Sequence, residues 1–423
     1  MGRRVAITGL GAVTPVGNDA ETTWQSLIAG RSGIRKIDTF DAETFPVTIA
    51  GLVEGFDVAE RVPESRARRH LSRAAGFAVG AALEALDDAD IDGNAYDPRE
   101  KGISVGGSVG RPDLYELVEM SWQIKSSEGR DLYRQAPSTV LYRDQNVAPA
   151  SVARLADFEG PMITVSTACT ASAHALGEAF RAVQEGDAKV MLTGGYDALT
   201  TWFDVIGFGL LGALTQHHAD EPERASRPFD KDRAGFVLGE GAVMAVLEDW
   251  DSAQARGARI YAELLGYGSS MNAYRMTDPP PDGGGVTLAM EMAIDDSGLA
   301  PEAIQYVSAH GTSTHGNDKT ETLAIKQVFG DHADKLAISS IKSMTGHLTC
   351  AAGALNLLAS VRAISDGVVP PTINLETPDP ECDLDYVPNE ARKLDVDAAL
   401  VNSFAFGGTN GCLVVAAPNG TRA

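Results

Sequence analysis

The chain has 423 residues, with 35 Lys and Arg against 58 Asp and Glu and a formal net charge of −23. Such acidity excludes general nucleic-acid binding, which needs a basic face. The length exceeds one simple core and predicts two domains or two fused halves. No apolar run escapes interruption by charges or glycines, so no membrane span is expected.

In chain order, M-G-R-R-V-A-I-T-G-L-G enters a strand without a signal-peptide core. Ala6 occupies the place where a myristoylation motif has Ser or Thr. A helix is predicted over Ser72 to Asp88, then a strand in I-S-V-G-G-S-V-G. Residues 111–150 form an insertion carrying Tyr115, Trp122, Tyr133 and Tyr142. An insertion of that length suits a cap, a tunnel wall or a subunit interface. The β-branched run Met162, Ile163, Val165 reads as a buried strand, followed by a helix over Ala171 to Glu185. V-M-L-T-G-G is the next strand. The second half repeats this order with I-Y-A-E-L-L-G-Y-G, Y-V-S-A-H-G-T-S-T, A-I-S-S-I-K-S and L-V-N-S-F-A-F-G-G. Its helices are predicted over Gly285 to Ser297, Asp318 to Phe329 and Gly353 to Ser365. Strand–helix alternation predicts an α/β fold of two similar halves, 1–250 and 251–423, joined near Trp250 to Arg259. Functional residues should gather at strand ends where the halves meet.

Cys169, in S-T-A-C-T, falls at a strand-to-helix elbow. Unpaired N–H groups and the helix dipole there are expected to stabilise a thiolate able to attack acyl carbonyls. His310 in S-A-H-G-T-S-T and His347 in K-S-M-T-G-H also follow strands, with Lys342 five residues before His347. His174 reads as core or as a neighbour of the site; His70, His217, His218, His315 and His332 read as structural or exposed. The turn Phe406-Gly407-Gly408 offers backbone N–H groups for an oxyanion hole. The four cysteines show no CxxC spacing. A reducing cytoplasm is expected, with neither a disulfide framework nor a metal site. Arg66, Arg68 and Arg69 form a basic cluster in an acidic chain.

These motifs, with T-G-L-G-A-V-T-P-V-G, S-R-P-F-D-K-D-R-A-G-F-V-L-G-E-G-A and V-P-P-T-I-N-L, resemble the β-ketoacyl-acyl-carrier-protein synthases of the elongating type along essentially the whole chain. The resemblance implies the thiolase fold, a five-layered αβαβα sandwich. It implies that Cys169 takes an acyl group from a carrier-protein thioester. His310 and His347 then serve decarboxylation of a malonyl-carrier protein, and the resulting carbanion attacks the acyl thioester. It implies an oxyanion hole of the Cys169 and Phe406 N–H groups and a gate at Phe406 within 402–411. It further implies that Lys342, Asp318 and Glu321 tune the histidine pair and that Thr312 and Thr314 lie near the pantetheine arm. Arg66, Arg68 and Arg69 would dock the acidic carrier protein. No cofactor beyond the carrier's arm and no metal is implied. The partners implied are the carrier protein and a second subunit, identical or a chain-length factor.

The chain departs from the pattern at several positions. Ala405 replaces a gate glycine, Asn356 replaces a Glu partner of Lys342, and Gly212 stands at an Arg used in docking. Arg134 and Gln135 replace two Phe at the far end of the partner's acyl pocket, and Val109 replaces a larger Ile. These changes suggest a tunnel for longer or more polar chains. They lean toward a type II polyketide or polyene ketosynthase over a housekeeping fatty-acid enzyme. A catalytically silent chain-length factor is the reading of another class, and Cys169, His310 and His347 argue against it.

Overall fold

The computed structural model describes residues 2–91, 95–109, 114–130, 141 and 144–418, without the side chains of 114–116. Ten strands form its main sheet: β1 (Val5–Val13), β2 (Lys101–Gly107), β3 (Met162–Val165), β4 (Val190–Asp197), β5 (Gly241–Asp249), β6 (Ala262–Met271), β7 (Tyr306–Ser308), β8 (Ala337–Ser339), β9 (Ala398–Phe404) and β10 (Thr409–Ala416). Their spatial order is β8-β7-β9-β10-β6-β1-β5-β4-β2-β3. Read outward from the junction, β1-β5-β4-β2-β3 and β6-β10-β9-β7-β8 are the same order. In the first set β2 is parallel to β3 and β4, and β5 is antiparallel to β4 and β1. In the second set β7 is parallel to β8 and β9, and β10 is antiparallel to β9 and β6. The sequence echo therefore corresponds to a repeated topology. The two sets meet where Val5, Ala6 and Ile7 pair with Leu264, Glu263 and Ala262.

Seven helices place the layers: α1 (Arg73–Asp88), α2 (Val147–Ala156), α3 (Ala171–Glu185), α4 (Trp202–Leu210), α5 (Gly284–Ser297), α6 (His315–Phe329) and α7 (Ala352–Asp366). α1 packs on β1, β5 and β4, with α2 beside it; α5 covers β6 and β10, with α6 beside it. Between the two strand sets lie α3 and α7, packed on each other. This is the αβαβα arrangement. A helix walled by sheets on both sides must be apolar or small all round. Leu176, Ala179, Phe180, Leu355, Leu358 and Val361 accordingly share one core with β1, β5 and β10. Close approach also demands glycine in the sheet. A Cβ on Gly106 would meet the Ala171 carbonyl carbon at 2.4 Å, and one on Gly195 would meet Cys350 O at 2.5 Å.

The predicted helices recur, with Ser72 capping α1 by accepting from the Ala75 N–H. α6 begins at His315 rather than Asp318, because H-G-N has no apolar period to announce its first turn. The expectation of a buried strand at Met162–Val165 is corrected. β3 is an edge strand, with Met162 46% and Ile163 38% exposed. Apolar content reports a surface that water disfavours, not the presence of a neighbouring strand within the same chain. Of the insertion, the helix Leu114–Ser126 is described; Arg134 and Gln135 lie outside the described residues. No helix among the described residues is long and apolar enough to cross a membrane.

Candidate active site

The elbow after β3 is braced from three sides. Thr167 Oγ1 lies 2.8 Å from His174 Nδ1, and the His174 Nε2 lies 3.3 Å from the Asn410 carbonyl. Thr170 Oγ1 donates to Thr167 O at 2.7 Å and lies 2.9 Å from Thr409 Oγ1. Ala168 is held at φ 50°, a left-handed conformation that a non-glycine residue adopts only under such constraint. The next residue, Cys169, lies in a 3-10 turn that runs straight into α3. The backbone N–H groups of Cys169 and Phe406 both bear on its sulfur. Burial, however, pushes the thiol up to about 12; Lys342 pulls it down by less. The expectation of a resting thiolate is therefore corrected. Desolvation outweighs the favourable field, and Cys169 rests as a thiol.

His310 follows β7, and its loop is held by two carboxylates on α6. Glu321 accepts from the N–H of His310 at 2.7 Å and of Gly311 at 2.8 Å, while Asn402 donates to it at 3.0 Å. Asp318 accepts from the N–H of Thr312 at 3.0 Å and Phe229 at 2.9 Å and faces Arg233 at 3.5 Å. The two acids thus shape the His310 loop through its backbone. Burial raises both. His347 is set by its own backbone, donating to Val237 O at 2.8 Å and accepting from Gly239 at 2.9 Å. The two imidazoles lie 5.3 Å apart with planes at 83°. Phe404 packs on one and Phe236 on the other.

Among the described residues, His310 Nδ1, His347 Nδ1 and Lys342 Nζ are buried without a hydrogen-bond partner. Burial, then the Lys342 charge, pushes both histidines well below their ordinary range, so both are neutral at pH 7. Burial lowers Lys342 to about 8, opposed by Glu321, Cys169 and Asp318. Asn356 does not pair with Lys342. Its amide donates to Ala309 O at 3.0 Å and Asn402 O at 3.1 Å, tying β7 to β9.

Two cavities meet at this cluster. The first, about 230 Å³, is lined by Cys169, His310, His347, Thr312, Thr314 and Phe406. Thr312 and Thr314 lie hydroxyl to hydroxyl at 2.9 Å. The second, about 410 Å³, is lined by Cys169, Val109, Asp197, Phe208, Cys350 and Phe406 among others. Cys169 and Phe406 belong to both, so Phe406 stands between them. Val109, which lines the second cavity, is 57% exposed. Gly407 and Gly408 are placed in the turn but not in an oxyanion hole, which corrects that expectation. The Gly407 N–H donates to Met276 O at 2.7 Å and the Gly408 N–H to Ala405 O at 3.0 Å, so neither is available to an oxyanion. Ala405 donates to Thr409 O at 2.9 Å. Arg66 and Arg69 are exposed and Arg68 half-buried at the surface turn Ser65–Arg68, away from the lining of either cavity.

Family models described as the N-terminal and C-terminal domains of beta-ketoacyl synthase match residues 2–253 and 261–376. The chain belongs to the beta-ketoacyl synthase family. Like this ketosynthase chain in sequence is the 3-oxoacyl-[acyl-carrier-protein] synthase 2 of Coxiella burnetii, 45% identical over 413 residues that cover 98% of each chain. Like it in structure is the ishigamide ketosynthase/chain length factor, at TM-score 0.88 and 37% identity over 98% of this chain and 99% of that one. A type II PKS acyl-carrier protein in complex with its ketosynthase, bound to the hexaketide, matches at TM-score 0.87 and 35% identity, over 99% of this chain and 100% of that one.

Sequence reading passed over Asp197 at the end of β4. Its carboxylate accepts from Ser108 Oγ at 2.6 Å, Ala198 N at 3.0 Å, Thr349 Oγ1 at 2.5 Å and Cys350 N at 3.3 Å. It binds the first half to the turn after His347. An acid directly after G-G-Y at a strand end was the available signal. Cys350 lies in a 3-10 turn, Thr349–Ala351, ahead of α7.

Proposed function

We propose that this chain is a β-ketoacyl-acyl-carrier-protein synthase that joins a malonyl unit to an acyl chain held on Cys169. The carrying observation is that Cys169, two neutral imidazoles and Phe406 line one cavity, with Cys169 and Phe406 opening on a second. In the first half-reaction the Cys169 sulfur attacks the incoming thioester. The carrier thiol leaves with the proton that Cys169 gives up, and the N–H groups of Cys169 and Phe406 hold the oxyanion. The acyl chain lies in the second cavity. In the second half-reaction the malonyl thioester occupies the first cavity with its carbonyl oxygen on His310 and His347. Loss of CO₂ leaves an enolate, which neutral imidazole N–H donors and the nearby Lys342 charge stabilise. Its carbon attacks the acyl-Cys169 carbonyl, and the sulfur departs and regains a proton. The cycle uses no group beyond the carrier's arm.

The second cavity and the β3 edge support a second subunit. An exposed apolar edge strand and an exposed Val109 in the cavity lining are both features that a neighbouring subunit would cover. The structural likeness to the ishigamide ketosynthase/chain length factor favours the catalytic ketosynthase of a type II polyketide or polyene system, paired with a chain-length factor. A homodimeric fatty-acid elongating enzyme is the second reading, favoured by the 45% identity to a 3-oxoacyl synthase. Arg66, Arg68 and Arg69 steer the acidic carrier in either case. The test is condensation by the purified chain alone, given a medium-chain acyl-carrier protein and malonyl-carrier protein and read by intact mass. A product two carbons longer supports a self-sufficient enzyme. Acylation of Cys169 without extension supports the partnered one. No acylation overturns the ketosynthase reading.

A further inference from the structure

His174 is a buried titratable side chain that lines neither cavity. It stands on α3, between the two strand sets, five residues after Cys169. Its ring packs edge-on against Tyr267 at 6.4 Å, and Gly411 makes room for it: a Cβ there would meet the ring at 3.1 Å. Burial pushes His174 below its ordinary range, against the opposing pull of the Asn410 carbonyl and Glu178, so the imidazole is neutral at pH 7.

The partners decide the tautomer. A carbonyl only accepts, so the proton sits on Nε2, 3.3 Å from Asn410 O, with Ser269 Oγ also at 3.3 Å. Nδ1 then accepts from the Thr167 hydroxyl at 2.8 Å. One neutral ring thus ties the segment before Cys169 to β10 and β6. A second tie runs beside it. Thr170 gives its one hydroxyl proton to Thr167 O, so Thr409 Oγ1, 2.9 Å away, donates to Thr170 Oγ1.

Both ties join the segments that carry the two oxyanion donors. The Cys169 N–H belongs to the elbow after β3; the Phe406 N–H belongs to the turn between β9 and β10, three residues before Thr409. β3 and β10 lie in different strand sets and do not pair, so no sheet register fixes the distance between these donors. Gly407 and Gly408, at φ 88° and 79°, leave the turn itself pliant. An oxyanion hole nevertheless needs both donors within about 2.7–3.1 Å of the developing charge.

We infer that His174 is a positioning residue: its Nδ1 contact to Thr167 and its Nε2 contact to Asn410 set the spacing of the Cys169 and Phe406 N–H groups. The inference rests on the ketosynthase reading, which places the thioester oxyanion between those donors. Acyl transfer to and from Cys169 depends on that spacing. Loss of CO₂ from a malonyl thioester held by His310 and His347 depends on it far less.

The test replaces His174 by Asn, Gln and Phe. Asn puts an amide near the Nδ1 position and keeps the Thr167 contact. Gln puts one near Nε2 and keeps the Asn410 contact; Phe keeps a ring and neither contact. Acylation of Cys169 by acyl-carrier protein is followed by intact mass against time. Decarboxylation of malonyl-carrier protein is followed by CO₂ release in the Cys169→Gln background. His174→Phe should slow acylation about 30-fold more than decarboxylation. His174→Asn and His174→Gln should each show a smaller gap, about three- to tenfold. Thr167→Val removes the hydroxyl and leaves the ring in place, so it should match His174→Gln. Equal losses in the two reactions overturn the inference, because His174 is then a core residue whose removal loosens the whole site. Unchanged acylation in His174→Phe overturns it too. If the Phe variant does not fold, Thr167→Val and His174→Gln decide by the same comparison. A parent chain that takes up no acyl group and releases no CO₂ is the separate failure of the ketosynthase reading, and removes this inference with it.

Discussion

Two turns in this chain share a backbone and a cysteine, yet only one is built as a nucleophile. Ala168-Cys169-Thr170 and Thr349-Cys350-Ala351 are both 3-10 turns, and each leads into a 15-residue helix ending on a left-handed glycine. The residue before each cysteine has a positive φ, 50° at Ala168 and 46° at Thr349. Repetition of the fold thus places Cys350 where Cys169 stands in the other half. What differs is the company. The backbone N–H of Phe406 bears on Cys169, Lys342 lies within its field, and Cys169 borders both cavities. Cys350 is fully buried, its N–H is spent on Asp197, and burial and then the Asp197 charge push its thiol far upward. A helix N-terminus alone does not make a nucleophile; a donor from another strand and a path for the substrate do.

The comparison can be broken in order of expected effect. Cys169→Gln should cut chain extension on the order of 10³-fold or more while malonyl decarboxylation persists, as followed by CO₂ release and intact mass. Retained extension would mean that another group carries the acyl chain. Asp197→Asn exchanges one carboxylate oxygen for a donor, leaving either the Ser108 side or the Thr349–Cys350 side unpaired. We expect a loss of about 1–3 kcal/mol in the urea unfolding free energy, because buried donors are left unsatisfied. An unchanged midpoint would show that the turn after His347 holds without it.

Lys342 supplies the next test. It keeps its proton below about 8 and loses it above. The charge beside the developing enolate therefore disappears as pH rises, and decarboxylation should fall through that range. Lys342→Met should flatten the fall; a rate that still drops near pH 8 in that variant assigns the titration elsewhere. The smallest effect expected is at Cys350. After incubation with acyl-carrier protein, peptide mass mapping should find acyl groups on Cys169 and none on Cys350. Acyl-Cys350 would erase the distinction between the two turns.

The sequence by itself determined the repeated strand and helix order, the elbow at Cys169 and the strand-end histidines. Those follow from local period, small-residue turns and motifs that act within a few residues. The pattern could not show that β3 is an edge, because an apolar strand reads alike whether its neighbour belongs to the same chain or another. Nor could it show that Gly407 and Gly408 spend their N–H groups on Met276 and Ala405, or that Cys169 rests as a thiol. It could not reveal Asp197 as the link from β4 to the turn after His347, across 152 residues. Hydrogen-bond partners, desolvation and cavity walls are assembled from segments far apart in the chain. Only the tertiary structure decides which donors are spent and which remain for the substrate.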